Sequence, residues 1–150
     1  WDQTHNLNGS VFMSYQKWGA NAVFQYGSGY PYTPQITNYE SQGGVLSNVL
    51  LRNSRRKPTT FRLDLKLHRQ IKIGDFDGRL YIRIQNLTDR RNQISVYGDS
   101  GKSDETIEKS RAQIISPFEP LRPNTVEQYF NRPDWYDPPR QIQMGLQFSW

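Results

Sequence analysis

The sequence predicts an all-β fold: about five final strands of a larger antiparallel transmembrane β-barrel, with two long extracellular loops. Three observations predict it. Five segments alternate apolar and polar residues with period two, as strands with two different faces do. The connections between these segments alternate short and long. The chain is also polar on average yet rich in rings: 35% of its 150 residues are hydrophobic and 13% are aromatic, with a mean hydropathy of -0.84. A soluble domain of this size usually carries more apolar residues, and a disordered chain carries fewer rings. A run of about 18 apolar residues is lacking, which excludes a transmembrane helix. Transmembrane strands need only about 9–11 residues each, with alternate ones apolar.

The first strand sets Leu7, Val11, Met13 and Tyr15 against Asn8, Ser10 and Ser14, with Phe12 out of pattern. The second has the weakest pattern, alternating Ala22, Phe24 and Tyr26 with Val23, Gln25 and Gly27. In the third, Phe61, Leu63, Leu65 and Leu67 alternate with Arg62, Asp64, Lys66 and His68. The fourth sets Leu80, Ile82 and Ile84 against Arg79, Tyr81, Arg83 and Gln85. The last is the clearest. Ile142, Met144, Leu146, Phe148 and Trp150 form one face, and Gln141, Gln143, Gly145, Gln147 and Ser149 form the other.

Lys17-Trp18-Gly19-Ala20 is expected to join the first two strands, and Gly74-Asp75-Phe76-Asp77-Gly78 the third and fourth. Both stretches hold the glycines of tight hairpins. The other connections run from about Tyr30 to Thr59 and from about Gly98 to Pro139. Compact soluble domains seldom hold loops so long. Outer-membrane barrels do, with short turns toward the periplasm and long loops outside. A soluble sandwich, the rival all-β reading, does not explain that parity. The third and fifth strands then run inward, the second and fourth outward. Five strands are too few to enclose these long polar side chains, so the chain reads as a piece of a larger barrel. Its start at Trp1 without a signal peptide reads as truncation. In the last loop, Thr125-Val126-Glu127-Gln128 fits a capping box, which predicts a helical turn or two ended by Pro133.

The sequence has no cysteine, which removes disulfides, thiolate metal sites and cysteine nucleophiles. Its net charge of +5 needs no nucleic acid, because the cations fall on strand faces and in one loop. Arg62, Asp64, Lys66, Arg79 and Arg83 are expected to face the lumen. Arg52, Arg55, Arg56 and Lys57 form a basic run expected either to be solvated or to meet lipopolysaccharide phosphates at the outer rim. Tyr15, Trp18, Tyr26 and Trp150 suit interfacial girdles. Gly98-Asp99-Ser100-Gly101-Lys102-Ser103 is too short between its glycines for a phosphate loop, and no helix pattern follows it. Asp75-Phe76-Asp77-Gly78 lacks the glutamate of a calcium loop. His5 and His68 are isolated, so neither a metal nor any other cofactor is expected. Nucleophile, base and oxyanion donors are not visible as a set, so the chain is not expected to be an enzyme.

Several stretches carry a family resemblance. Gln143, Gly145, Phe148 and Trp150 match the C-terminal signal read by the barrel-assembly machinery. Asp2-Gln3-Thr4-His5-Asn6-Leu7-Asn8 resembles the start of a late barrel strand in TonB-dependent receptors. Gln25-Tyr26-Gly27-Ser28-Gly29-Tyr30-Pro31-Tyr32-Thr33-Pro34 resembles that family's rise into an extracellular loop. Gln85-Asn86-Leu87-Thr88-Asp89-Arg90-Arg91-Asn92 resembles its turn-like stretch late in the penultimate strand. With the last strand, the resemblance spans nearly the whole chain, and its style is similar to receptors of the Bacteroidota type. It implies a barrel of about 22 strands with a plugged lumen, of which residues 1–150 are the C-terminal portion and the plug domain is not part. It further implies residence in the bacterial outer membrane and TonB-driven uptake of a siderophore, cobalamin, a glycan or a peptide. The implied partners are outer-membrane lipid and lipopolysaccharide, the assembly machinery, the plug and the TonB system. Tyr30, Tyr32, Trp135 and Tyr136 are the candidate contacts for such a ligand. A passive porin or adhesin barrel is the first rival function, and a soluble carbohydrate-binding sandwich the second.

Overall fold

The computed structural model describes residues 2–35, 52–74, 76–115 and 125–149. In chain order the strands are β1 (Asn6–Tyr15), β2 (Trp18–Gly27), β3 (Pro31–Tyr32), β4 (Arg55–Arg56), β5 (Thr60–Ile73), β6 (Phe76–Gln85) and β7 (Gln141–Ser149). They fall into two compact units. One comprises His5–Gly27, Thr60–Arg91 and Pro138–Trp150. The other comprises Trp1–Thr4, Ser28–Thr59 and Asn92–Asp137.

The first unit is a five-stranded antiparallel sheet in the order β1-β2-β5-β6-β7. All five segments expected from alternation are strands. Register does the rest: antiparallel partners share a face, so one period-two pattern must extend across every strand pair. It does. Leu7 pairs with Tyr26 and Tyr26 with Phe61; Ala20 pairs with Leu67, Leu67 with Ile82, and Ile82 with Met144. Phe12, the residue out of pattern, pairs with Asn21 on the polar face.

Both hairpins are tighter than expected. Trp18, Gly19 and Ala20 belong to β2, and the turn is Gln16-Lys17, with Gln16 at φ 51. Two-residue hairpins need a positive φ, and here a glutamine supplies it. Trp18 therefore faces Tyr15 across the strands. Phe76, Asp77 and Gly78 belong to β6, following Gly74 at φ 60. Asp75 lies outside the described residues. Ladder bonding wins in both places because it pairs backbone groups that a longer turn would leave open.

The second unit is built from the long connections. It holds the β3–β4 ribbon, helix α1 (Ile107–Ile115), helix α2 (Val126–Phe130) and a 3-10 turn over Pro133–Trp135. The capping box at Thr125 forms in both directions with Gln128. Pro133 opens the 3-10 turn rather than closing α2, which already ends at Asn131. Helix α1 was not expected. The Thr106 hydroxyl accepts from the Glu108 N–H, while Asp99, eight residues upstream of Ile107, accepts from the Ile107 N–H. The donors at this helix start are thus occupied by the protein's own side chains, which also argues against a phosphate loop there.

Among the described residues no Val, Leu, Ile, Met, Phe, Tyr or Trp side chain is buried, whereas the polar residues Asn86, Asn92, Ser103 and Thr106 are. This inverts the ordinary partition of a water-soluble domain.

Candidate functional site

One face of the sheet is apolar across all five strands. It carries Val11 and Met13 on β1, Ala20, Ala22 and Phe24 on β2, and Leu63, Leu65 and Leu67 on β5. Leu80, Ile82 and Ile84 on β6 and Ile142, Met144, Leu146 and Phe148 on β7 complete it. Met144 is 73% exposed and Met13 68%. Rings mark both ends. At the end where the long connections leave, Tyr26 pairs with Phe61; at the turn end, Tyr15 pairs with Trp18. Arg69 on β5 brings a cation to this face, and its guanidinium lies 4.9 Å from the Trp18 ring centroid. There it can stack on the ring while its charge stays at the edge.

The opposite face gathers all five cations and acids expected to share a side. Arg62, Asp64 and Lys66 come from β5, Arg79 and Arg83 from β6. Arg62 and Asp64 form an ion pair at 2.9 Å. Lys66 and Arg83 are direct cross-strand partners, and Gln70 pairs with Arg79. Lys66 Nζ also stands 5.8 Å from the Tyr81 ring centroid. A hollow of about 430 Å³ lies beside Gln70, Arg79 and Gln147, near the turn end.

A buried knot joins the ends of β5, β6 and β7. Asn86, at φ 52 and only 3% exposed, donates its side-chain amide to Arg90 O and Pro138 O, both at 3.1 Å. Its carbonyl oxygen accepts from Arg90 N at 3.2 Å, and its backbone N–H donates to Asp64 Oδ1 at 2.9 Å. Leu87 N donates to Leu63 O, and Arg140 N donates to Asp89 Oδ1. Asn tolerates the left-handed backbone this turn demands. The sequence showed this stretch as turn-like but gave no sign of its burial.

In the terminal strand, Gln143 and Gly145 lie on the polar face and Phe148 on the apolar one. Trp150 lies outside the described residues. Gly145 faces Tyr81, and a Cβ there would collide with the phenol ring. Gly19 stands in the same relation to His68, and Gly9 to Phe24.

The basic run is divided. Arg56 forms an ion pair with Asp2 at 2.9 Å and bonds Gly29 O, and Lys57 Nζ donates to Ile94 O at 2.8 Å. These two cations tie the second unit together. Arg52 and Arg55 are exposed.

Of the four candidate ligand-contact rings, only Tyr30 is exposed. Tyr32 packs against Gly101, which sits at φ 75. Trp135 packs against Tyr97 in a tilted pair at 4.6 Å between centroids, with Arg132 on its face at 5.7 Å. Tyr136 forms a bridge with Gln93. Tyr97 also meets Phe130, which meets Tyr129 edge-on. Tyr97 and Phe130 were not singled out from sequence, because they lie 33 residues apart and no periodicity links them. Beside them a cleft of about 280 Å³ is lined by Asp104, Lys109, Glu127, Arg132 and Tyr136 among others. Lys109 and Glu127 are ion-paired at 2.8 Å. No group of three metal-ligating side chains occurs among the described residues.

No family model, curated protein or solved structure matches this chain.

Proposed function

We propose that this chain is a wall segment of an outer-membrane β-barrel of the TonB-dependent receptor type, serving energised uptake of a scarce ligand. One observation carries the reading. A single apolar face runs in register across five strands, ends in rings on β1, β2 and β5, and has no buried side chain among its described residues. In water such a face costs about 25 cal/mol for each Å² left wet. In a bilayer it is matched.

The dimensions agree. Trp18 and Tyr26 bound the apolar face at opposite ends of β2 and are eight residues apart. At about 3.4 Å per residue they are separated by ~27 Å along the strand. A strand tilt near 40° reduces this to ~21 Å, close to the ~25 Å apolar band of such barrels. The charged face then turns toward the lumen, where Arg62, Asp64, Lys66, Arg79 and Arg83 would meet water or the plug. The two exposed sheet edges, β1 and β7, are where further strands would pair. The receptor assignment within barrels rests on the sequence resemblance.

Cell fractionation of the full-length protein tests this reading. It should sediment with the outer membrane, resist carbonate extraction, and run faster on gels unheated than boiled. Trp18 fluorescence should be quenched by brominated lipid chains. A full-length protein that stays native in buffer without detergent refutes the reading. A plug and a TonB box encoded upstream separate energised uptake from a passive pore.

A further inference from the structure

Charge on the polar face of the sheet does not balance. On β1, β2 and β7 that face carries no charged residue, so β5 and β6 alone set its charge. These two strands place Arg62, Lys66, Lys72, Arg79 and Arg83 on it, against Asp64 and Asp77. Both acids are engaged. Asp64 pairs with Arg62 and accepts from the Asn86 N–H, and Asp77 stands directly opposite Lys72. Lys66, Arg79 and Arg83 are in excess.

Arg79 also has room beside it. The hollow of about 430 Å³ is lined by Arg79, Gln70 and Gln147, with Asp77 at its margin. Gln70 on β5 and Gln147 on β7 are the cross-strand partners of Arg79 on either side. A guanidinium between two neutral amides thus forms one row across three strands. All three side chains are exposed, and none holds a hydrogen bond, ion pair or ring contact among the described residues. Farther along the same face, Lys66 and Arg83 are directly opposed. Like charges so placed destabilise a sheet, a cost that an anion between them relieves.

We infer that the row Gln70–Arg79–Gln147 is a binding site for an oxyanion, a carboxylate or phosphate group on a small solute. The guanidinium of Arg79 supplies two parallel hydrogen bonds to such a group. The amides of Gln70 and Gln147 can donate to the lone pairs that remain. Lys66 and Arg83 extend the same sign of charge along the face; Arg83 is four residues from Arg79, about 14 Å along β6. Cations lining a passage favour anions within it. The inference deepens the barrel reading and rests on it for this role in passage: the solute carried is anionic, and Arg79 is one station on its route.

The test uses the full-length protein in mild detergent. It is titrated calorimetrically with tricarballylate and with pyrophosphate in about 0.15 M NaCl, which screens diffuse attraction. Wild type should bind at least one of the two, and the stronger binder tells carboxylate from phosphate. Arg79→Gln should weaken that binding at least about tenfold. Arg79→Lys keeps the charge but loses the fork, so it should weaken binding by a smaller factor. Arg69→Gln, on the apolar face, should bind as wild type does. Wild type that binds neither probe, or that binds no better than Arg79→Gln, overturns the site. Gel mobility of the same samples keeps the two readings apart. Heat-modifiable protein without anion binding sinks the site and leaves the barrel. Arg79-dependent binding by protein whose mobility does not change on heating keeps the site and sinks its role in passage.

Discussion

Tyr81 on β6 and Gly145 on β7 share a single space: the phenol ring stands where a side chain at position 145 would be. The ring covers backbone that glycine leaves bare, and Lys66 approaches the same ring at 5.8 Å. This aromatic cover restores packing that glycine removes from a strand. Gly145 therefore has a packing role inside the sheet.

Gly145→Val should destabilise the folded sheet by about 1–3 kcal/mol, the usual cost of overpacking. Tyr81→Ser should remove most of that penalty when combined with it. Urea titration of the full-length protein in detergent, read by gel mobility, measures both. A double variant as unstable as the sum of its parts would show that the ring is not the obstacle.

Leu146 and Gln147 are neighbours on opposite faces of β7. Leu146→Arg should cost about 2–4 kcal/mol if position 146 lies near the bilayer midplane. Gln147→Arg should cost much less. Equal tolerance in the same titration would mean the faces are misassigned.

Asn86→Ala removes two donors and an acceptor from a buried turn and forces alanine to φ 52. The orphaned carbonyls of Arg90 and Pro138 should make this one of the costlier polar changes, about 1–3 kcal/mol. Hydrogen exchange should show the effect first at Arg90 and Arg140, whose amides bond to this turn. Unchanged protection there would place the stability of the β6–β7 junction elsewhere.

Asp99 gives the second unit a pH dependence. Partial burial opposes its charge, but donors from Ile107 at 2.6 Å, Thr106 at 2.8 Å and Ser100 at 2.8 Å outweigh burial and hold the carboxyl below its ordinary range. A lowered folded pKa contributes stability above the unfolded value, lost as pH falls through the folded one. The Ile107 amide should stay protected from exchange at neutral pH and lose protection in acid, below the usual carboxylate range. Asp99→Asn should flatten that profile. Acid-independent protection in the wild type would contradict the assignment.

Much of the sheet was legible because alternation is a local signal. From Gln141 to Phe148 every residue declares its face, and register then aligns the faces of all five strands. The hairpin at Gln16 was misread because Gly19 looked like turn chemistry, whereas it is the floor beneath the His68 ring. Helix α1 was missed because Asp99, which holds the Ile107 N–H, lies outside any local capping window. The basic run at residues 52–57 looked uniform in sequence, yet contacts with Asp2, Gly29 and Ile94, tens of residues away, separate Arg56 and Lys57 from Arg52 and Arg55. Trp135 looked like a presented ring, and its partner Tyr97 could be known only from the fold.

The inverted burial pattern has a calorimetric consequence. Unfolding an ordinary domain raises heat capacity because apolar side chains move from a dry interior into water. Here none of the described apolar side chains is fully buried within the protein. With the sheet in lipid, opening its strand ladder while the chain stays in the bilayer should change heat capacity little. The large increment should appear only when the chain is drawn out into water, so it would report departure from the membrane rather than loss of fold.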